Sequence, residues 1–467
     1  MSQDDAASHR FEKSASSSRL VLSLCFVLFF SVTNATMFNV ALPDIASDFS
    51  LSHSSVSWII TGYSVLYALG SLLYGKLADK YPLKRLITIG LLMFAAASVV
   101  GYFADSYPLV LLARFVQSAG ASCVPALVMI VPVRFFPPDQ RGKVMGIIAS
   151  TIAFSSGIGP ILGGVVAGRY GWNSLFLISL AAPIMLPLIR RSLPQEQVRD
   201  GEKVDLLGAS LLGVGVTALM LSVTKFNLWW LLVSAVLLTL FFLHSRRAPN
   251  PFVQLSLFRI SGYANGLSIG FINSFIVYGV FLMSPLMLRG LYHLNASTIG
   301  LVLFPAAMLA ALLGRVGGRL ADTRGSRFTL FIALIALAVG LLGLSAVTGL
   351  SPWIIVLVLP LVNIPFTFLQ ATIAKVVSTA LPKERIGVGM GVYSLVNFLA
   401  GAISGSALTK AIEFDWSMYN MTAVADPSTF GTVYMGLAFL TVVNLVWVGM
   451  KVERRQSTSI PVTESLR

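Results

Sequence analysis

Of 467 residues, 56% are hydrophobic and 11% are charged, with a mean hydropathy of +0.82; a soluble domain carries about 25% charged residues and has no core large enough for so much apolar surface. The composition excludes an ordinary soluble enzyme or binding module and points to lipid as the solvent. The formal charge of +14 would suit nucleic acid only as a basic patch on a soluble face, and here Lys and Arg sit in the gaps between apolar runs.

In chain order, residues 1–19 are polar and mixed in charge and read as a disordered tail. The apolar run from Leu20 to about Leu42 is too long for a signal-peptide core and lacks a small-residue cleavage pattern, so it reads as a permanent span. Runs of spanning length follow at 54–74, 86–104, 107–133, 144–168 and 171–189, completing a first bundle of six over 20–189. After a polar loop at 190–205, two further runs, 206–224 and 228–243, form an inserted pair over 206–245, turned by Lys225-Phe226-Asn227. A loop at 246–262 leads to a second bundle over 263–450, with runs at 263–288, 297–317, 328–349, 352–376, 387–409 and 429–450; residues 451–467 form a second tail.

An inserted pair leaves the orientation of the second bundle unchanged, so the expected fold is an all-α membrane protein of fourteen transmembrane helices, arranged 6 + 2 + 6. Roughly 28 of the 33 Lys and Arg fall on one side of these spans, the positive-inside bias, which predicts that both termini are cytoplasmic. Cys25 and Cys123 lie inside apolar runs, and the histidines, including His244, show no metal-ligand spacing. No metal, cofactor or nucleic acid is implied, and no nucleophile with a base or phosphate loop suggests an enzyme.

Repetition organises the chain. GKLADKYPLKR at 75–85 recurs as GRLADTRGSR at 318–327, and PPDQRGKVMG at 137–146 recurs as LPKERIGVGMG at 381–391. Asp79 and Asp322 are 243 residues apart, Arg141 and Arg385 are 244 apart, so one displacement relates both pairs. All lie on the predicted cytoplasmic side, as a parallel repeat about the membrane normal requires. Taken singly, each motif would read as a charged turn, with Gly75 or Gly318 permitting close helix approach and Lys84, Arg85 or Arg327 holding the loop inside.

With NVALPDI at 39–45, LLARFVQSAGAS at 111–122 and GIGPILGG at 157–164, the chain resembles the major facilitator superfamily. Within it, the chain is similar to the fourteen-span drug/proton antiporters, among them the class L tetracycline-efflux proteins. The resemblance implies a transporter working by alternating access. It implies that Asp79 docks near Arg385 to Gly389 of the other half and that Asp322 serves the mirror position, so that Gly75, Asp79, Lys84, Arg85, Arg141, Gly318, Asp322, Arg327 and Arg385 form the gate. It marks Gly157, Gly159, Pro160, Gly163 and Gly164 as an antiporter motif; plain close packing at the glycines, with a bend at Pro160, is the alternative.

Arg114 is the one Lys or Arg placed clearly within a span, where an unpaired arginine costs roughly 2.5 to 3.5 kcal/mol even on the lenient insertion scale. The resemblance assigns it to a proton or substrate path; a structural arginine bonded to backbone carbonyls is the alternative. Asn34, Asn39, Gln117, Ser156, Asn273, Gln370 and Asn397 are further path candidates, and Asn363 belongs to the same polar set, any of them serving equally as interhelical glue. Trp58, Tyr63, Phe154, Phe275 and Tyr278 are aromatic candidates for substrate contact or packing.

The chain departs from its resemblance in one respect. Asn34 and Ala35, Ser156 and Gly401 stand where those antiporters carry acids, and the acids nearest the hydrocarbon, Asp44, Asp79, Asp105, Asp322, Glu413 and Asp415, belong to span ends or loops. Lys375 reads as a snorkelling residue with no part in the gate. The expected function is export of small amphipathic compounds, with proton antiport implied by resemblance; an uncoupled or differently coupled carrier of a polar metabolite and a transport-inactive sensor are the alternatives. The expected partners are the lipid bilayer and a small-molecule substrate.

Overall fold

The computed structural model describes residues 15–51, 53–56, 58–194, 196, 205–225, 227–294, 296–382, 385–413 and 429–452. Most of both tails, much of the 190–205 loop, Phe226 of the inserted turn and Asp415 lie outside the described residues.

Among the described residues, fourteen helices are long and apolar enough to cross a membrane. In lipid every backbone N–H and C=O must be satisfied within the segment, which makes the helix the form available to each of these runs. They are α1 (Ala15–Asp48), α2 (Trp58–Ala78), α3 (Leu83–Tyr102), α4 (Tyr107–Phe135), α5 (Pro138–Tyr170), α6 (Ser174–Ser192), α7 (Leu206–Lys225), α8 (Leu228–Arg247), α9 (Ser261–Gly290), α10 (Ala296–Thr323), α11 (Ser326–Val347), α12 (Pro352–Thr379), α13 (Ile386–Glu413) and α14 (Thr429–Val452). Several outrun the apolar runs, because polar residues at both ends of α1 and at the start of α5 continue the helix beyond the hydrocarbon. α4 pauses at Ser122, α6 passes through a 3-10 turn at Ala182–Met185, and α12 pauses at Leu359 ahead of Pro360. α5 stays helical through Pro160. Gly171 and Gly325, with φ of 83° and 87°, make the turns into α6 and α11, where a Cβ would be strained.

α1–α6 form one bundle and α9–α14 the other. Within each, equivalent pairs pack together: α1 on α5 as α9 on α13, and α3 on α4 as α11 on α12. Two antiparallel seams join the bundles, α5 against α10 and α2 against α13. They exchange under the repeat, as a two-fold axis along the membrane normal demands. Below, the face where α1 begins and α14 ends is the terminal face, and the opposite one the far face.

The inserted helices α7 and α8 form a hairpin that leans through α7 on α13 and α2. Asp205 ties its base together. It accepts hydrogen bonds from the N–H groups of Gly208 (2.8 Å) and Phe252 (3.1 Å) and pairs with His244 Nε2 at 2.9 Å. Burial alone would raise the Asp205 carboxyl; the Gly208 and Phe252 N–H groups and His244 together hold it below the ordinary carboxylate range. His244, scattered in sequence from any acid, therefore has a partner 39 residues away.

Candidate functional site

On the terminal face each repeat motif places a carboxylate at the start of a helix in the opposite bundle. Asp79, just past α2, accepts from the N–H groups of Gly387 (2.8 Å) and Val388 (3.0 Å) at the start of α13. Asp322, in the last turn of α10, accepts from Gly142 (3.0 Å) and Lys143 (2.9 Å) near the start of α5. A helix N-terminus presents N–H groups and the positive end of its dipole, so an anion there is favoured. Each bond to a charged acceptor is worth about 1.5–3 kcal/mol.

A cation completes each latch. Lys375 of α12 donates to Asp322 Oδ1 at 2.5 Å and to the Ala321 carbonyl at 3.0 Å. Arg134 of α4, 241 residues earlier, donates to the Ala78 carbonyl at 2.6 Å and reaches Asp79 at 3.5 Å. Lys375 thus points inward to the latch and does not snorkel; a short reach to a well-covered carboxylate outweighs solvation of its ammonium. In the first copy Arg134 is shared with Glu196 (3.2 Å), whose other oxygen accepts from the Leu83 N–H at 2.8 Å.

The latches can form because the helices behind them nearly touch. Gly142, Gly146 and Ser150 of α5 face Gly318, Gly314 and Ala310 of α10, and Gly75 with Leu72 of α2 faces Gly387 and Gly391 of α13. A Cβ on Gly146 would lie 2.5 Å from the Gly314 carbonyl, and one on Gly75 2.5 Å from the Gly387 carbonyl. Gly146→Leu is therefore expected to wedge the terminal face apart and abolish transport. Gly168→Leu on the same helix, where a Cβ meets open space, is expected to transport normally. The readout is the distance between spin labels at Arg191→Cys and Thr379→Cys, one per bundle.

Burial pushes the Asp79 carboxyl up to about 6, against the lowering effect of the Val388 N–H, Arg134 and the Gly387 N–H. Opening the face returns the group to water and toward its ordinary value of 3.8. The closed face therefore binds the proton more tightly. Its share rises as pH falls through about 6 towards 4, and that extra stability is lost as pH rises through about 6. Between pH 7 and 5 linkage gives a change of about tenfold in the closed-to-open ratio. The same label pair checks this, and Asp79→Asn should flatten the response.

The other predicted gate residues lie around the latches. The Arg141 Nε donates to the Phe136 carbonyl at 3.1 Å, and Arg385 to the Ser256 hydroxyl at 3.2 Å. Arg85 lies over the Tyr81 ring and Arg327 over the Phe331 ring. Lys84 lines a groove with Arg85 and Arg190. Gly157 faces Ala307 of α10, whereas Gly159, Gly163 and Gly164 face Thr36, Met37 and Val40 of α1. That motif thus mainly seats α5 on α1, with no bend at Pro160 sharp enough to interrupt the helix.

Deeper in the first bundle Arg114 is fully buried. Its guanidinium is sandwiched between the rings of Phe38 and Tyr63, 4.0 Å to each centroid. Nη1 donates to Asn34 Oδ1 (2.8 Å) and Gln117 Oε1 (2.6 Å). Asn34 in turn donates to the Ser179 hydroxyl, and Gln117 to the Ser98 hydroxyl at 2.7 Å. Nε and Nη2, the edge that can grip a carboxylate with two parallel bonds, have no partner. Arg114 is held by side chains and aromatic faces, so the backbone-carbonyl alternative is not what the structure shows. It is the one charged residue in the fully buried core among the described residues; the covered carboxylates of Asp79 and Asp322 sit in the latches at helix ends.

Tyr63 stacks on Tyr67 (5.7 Å), and Tyr67 meets Phe398 of the other bundle edge-on at 4.9 Å. Phe154 links Phe29 to Phe304 of α10. Two aromatic lines thus cross from one bundle to the other. In the second bundle Asn397 accepts from Ser274 at 2.8 Å, while both amide atoms of Asn273 and the carbonyls of Gln370 and Asn363 are buried without partners. Ser156 is half-buried, and Asn39 is exposed near the far end of α1. Arg315 lies inside α10, so Arg114 is not alone within the spans.

Fourteen membrane-length helices, two bundles related by a repeat and carboxylate latches joining them on one face are the frame of a two-bundle membrane transporter. Residues 24–405 match the Major Facilitator Superfamily, and the chain belongs to that family. It is 27% identical over 415 residues to the multidrug resistance protein Stp of Mycobacterium tuberculosis, covering 86% of this chain and 77% of that one. It is 23% identical over 417 residues to the riboflavin transporter RibZ of Clostridioides difficile, covering 88% and 91%. The human organic anion transporter MFSD10 shares the fold at a TM-score of 0.68 and 16% identity, over 93% of this chain and 100% of that one.

Proposed function

We propose that the chain exports small amphipathic compounds across the bacterial cell membrane by alternating access, with the terminal face cytoplasmic and both termini inside. The observation that carries this reading is the pair of latches at Asp79 and Asp322, which close one face between two repeat-related bundles. The likeness to Stp favours export, and the motifs shared with fourteen-span drug/proton antiporters favour exchange against protons. Arg114 with Asn34 and Gln117, the unpartnered amide of Asn273, the free side-chain carbonyl of Gln370, and the aromatic lines through Tyr63 and Phe154 form the substrate path. Asn39 and Ser156 stand beside it.

The fully buried polar groups among the described residues include no carboxylate, those of Asp79 and Asp322 lying in the latches, and this favours a second reading, a carrier with no proton coupling or with another counter-ion; the likeness to RibZ suits a metabolite cargo. Efflux in everted vesicles, with dyes, antibiotics and flavins as cargo and internal pH followed together, separates the two. Proton antiport requires a substrate-induced pH change. Substrate flux without one, insensitive to an uncoupler, leaves the second reading.

A further inference from the structure

Where α5 meets α10 on the terminal face, a cavity of about 420 Å³ opens between the bundles. That is within the ~300–1,000 Å³ of small-molecule sites. Its walls are Asp139 and Lys143 of α5 and Arg315, Arg319, Asp322 and Thr323 of α10. Asp322 is spoken for by Lys375. Lys143, Arg315 and Arg319 are exposed and form no ion pair among the described residues, which leaves three cations against the single carboxylate of Asp139.

Arg315 lies one turn deeper than Arg319 and eight residues from the end of α10, about 12 Å along the axis. On the same helix stripe, Met308, Leu312 and Val316 are exposed, Leu312 to 69%. A helix presents residues spaced by three and four on one face, so an apolar stripe facing lipid runs directly up to the two arginines. A water-soluble anion would have no use for that stripe, whereas a phospholipid places its phosphate at the cations and its acyl chain along it.

We propose that this cavity binds the phosphate of an anionic phospholipid, and that the bound lipid clamps the terminal face shut by bridging Lys143 of one bundle to Arg315 and Arg319 of the other. The clamp rests on the alternating-access reading, since opening must part α5 from α10 at Gly142 and Gly318. The excess of cations over carboxylates selects an anionic headgroup over a zwitterionic one. The seam between α2 and α13 is covered by α7, so this is the flank that lipid can reach.

The test uses the full chain in nanodiscs of phosphatidylcholine with and without phosphatidylglycerol. Native mass spectrometry should show phosphatidylglycerol retained on the wild type and on Arg190→Gln, which alters the separate groove beside α3, with at least fivefold less on Arg315→Gln/Arg319→Gln. Labels at Arg191→Cys and Thr379→Cys should report a larger closed population with phosphatidylglycerol, an effect absent in the double variant. Native Cys25 and Cys123 are buried and do not compete for label. Equal lipid retention by the double variant, or a closed population indifferent to phosphatidylglycerol, overturns the proposal. So does millimolar inorganic phosphate reproducing the shift in phosphatidylcholine alone, which would make the ligand a free anion. Substrate-driven distance changes in the wild type report alternating access separately, so failure of the lipid arm leaves that reading intact.

Discussion

Asp79→Ala should reduce transport in everted vesicles at least tenfold while the protein still inserts at normal levels. The substitution leaves the Gly387 and Val388 N–H groups without an acceptor. Two hydrogen bonds to a charged group, at about 1.5–3 kcal/mol each, are removed from the closed terminal face alone. A loss of about 3 kcal/mol shifts the closed-to-open ratio by roughly a hundredfold, so the exchange cycle stalls with that face open. Asp322→Ala should behave alike, because Gly142 and Lys143 lose the same support. Lys375→Ala should be as damaging as Asp322→Ala, since it leaves a carboxylate whose side chain is 5% exposed without its cation. Normal transport by Asp79→Ala and Asp322→Ala would show that the latches are packing ornaments of the fold.

Arg114→Lys should also lower transport at least tenfold while the protein still inserts at normal levels. Lysine keeps a charge and can still donate to Asn34 and Gln117. It loses the planar group that fills the gap between Phe38 and Tyr63, where a desolvated cation–π contact is worth up to about 2 kcal/mol. It also loses the second edge, Nε and Nη2, that is free to meet an anionic or carbonyl oxygen. If only the charge mattered, lysine would serve, and transport at the wild-type rate would reduce Arg114 to a fixed positive point in the bundle.

The helices were legible because lipid imposes one rule on every span, so hydropathy alone marks them. Asp79 and Asp322 were legible because the repeat prints them twice in the same letters. Arg134 carries no motif in sequence and Lys375 reads there as a snorkelling residue, although the two stand at nearly the same displacement as the acids they meet, because the repeat keeps their charge and not their residue type. Asp205 and His244 were illegible for a different reason: they meet only when α7 and α8 fold into a hairpin. Asn34, Gln117, Asn273 and Gln370 are legible as buried polar groups, but an amide serves equally as interhelical glue or as a ligand contact, so residue type alone does not sort their roles. The glycines of α5 could be read as close-packing residues, but not which neighbour they serve, since one helix faces α1 and α10 at once.

The inserted hairpin gives the molecule a front and a back in the plane of the membrane. The two bundles are near equivalents, and without α7 and α8 a compound dissolved in the bilayer would meet the same kind of seam from either flank. With α7 laid on α2 and α13, one flank is covered by protein, while the seam of α5 and α10 has no inserted helix over it among the described residues. Two bundles related by a near two-fold thereby present unlike flanks to the bilayer, and a neighbour in the membrane would meet a protein wall or a bundle seam according to the side on which it lay.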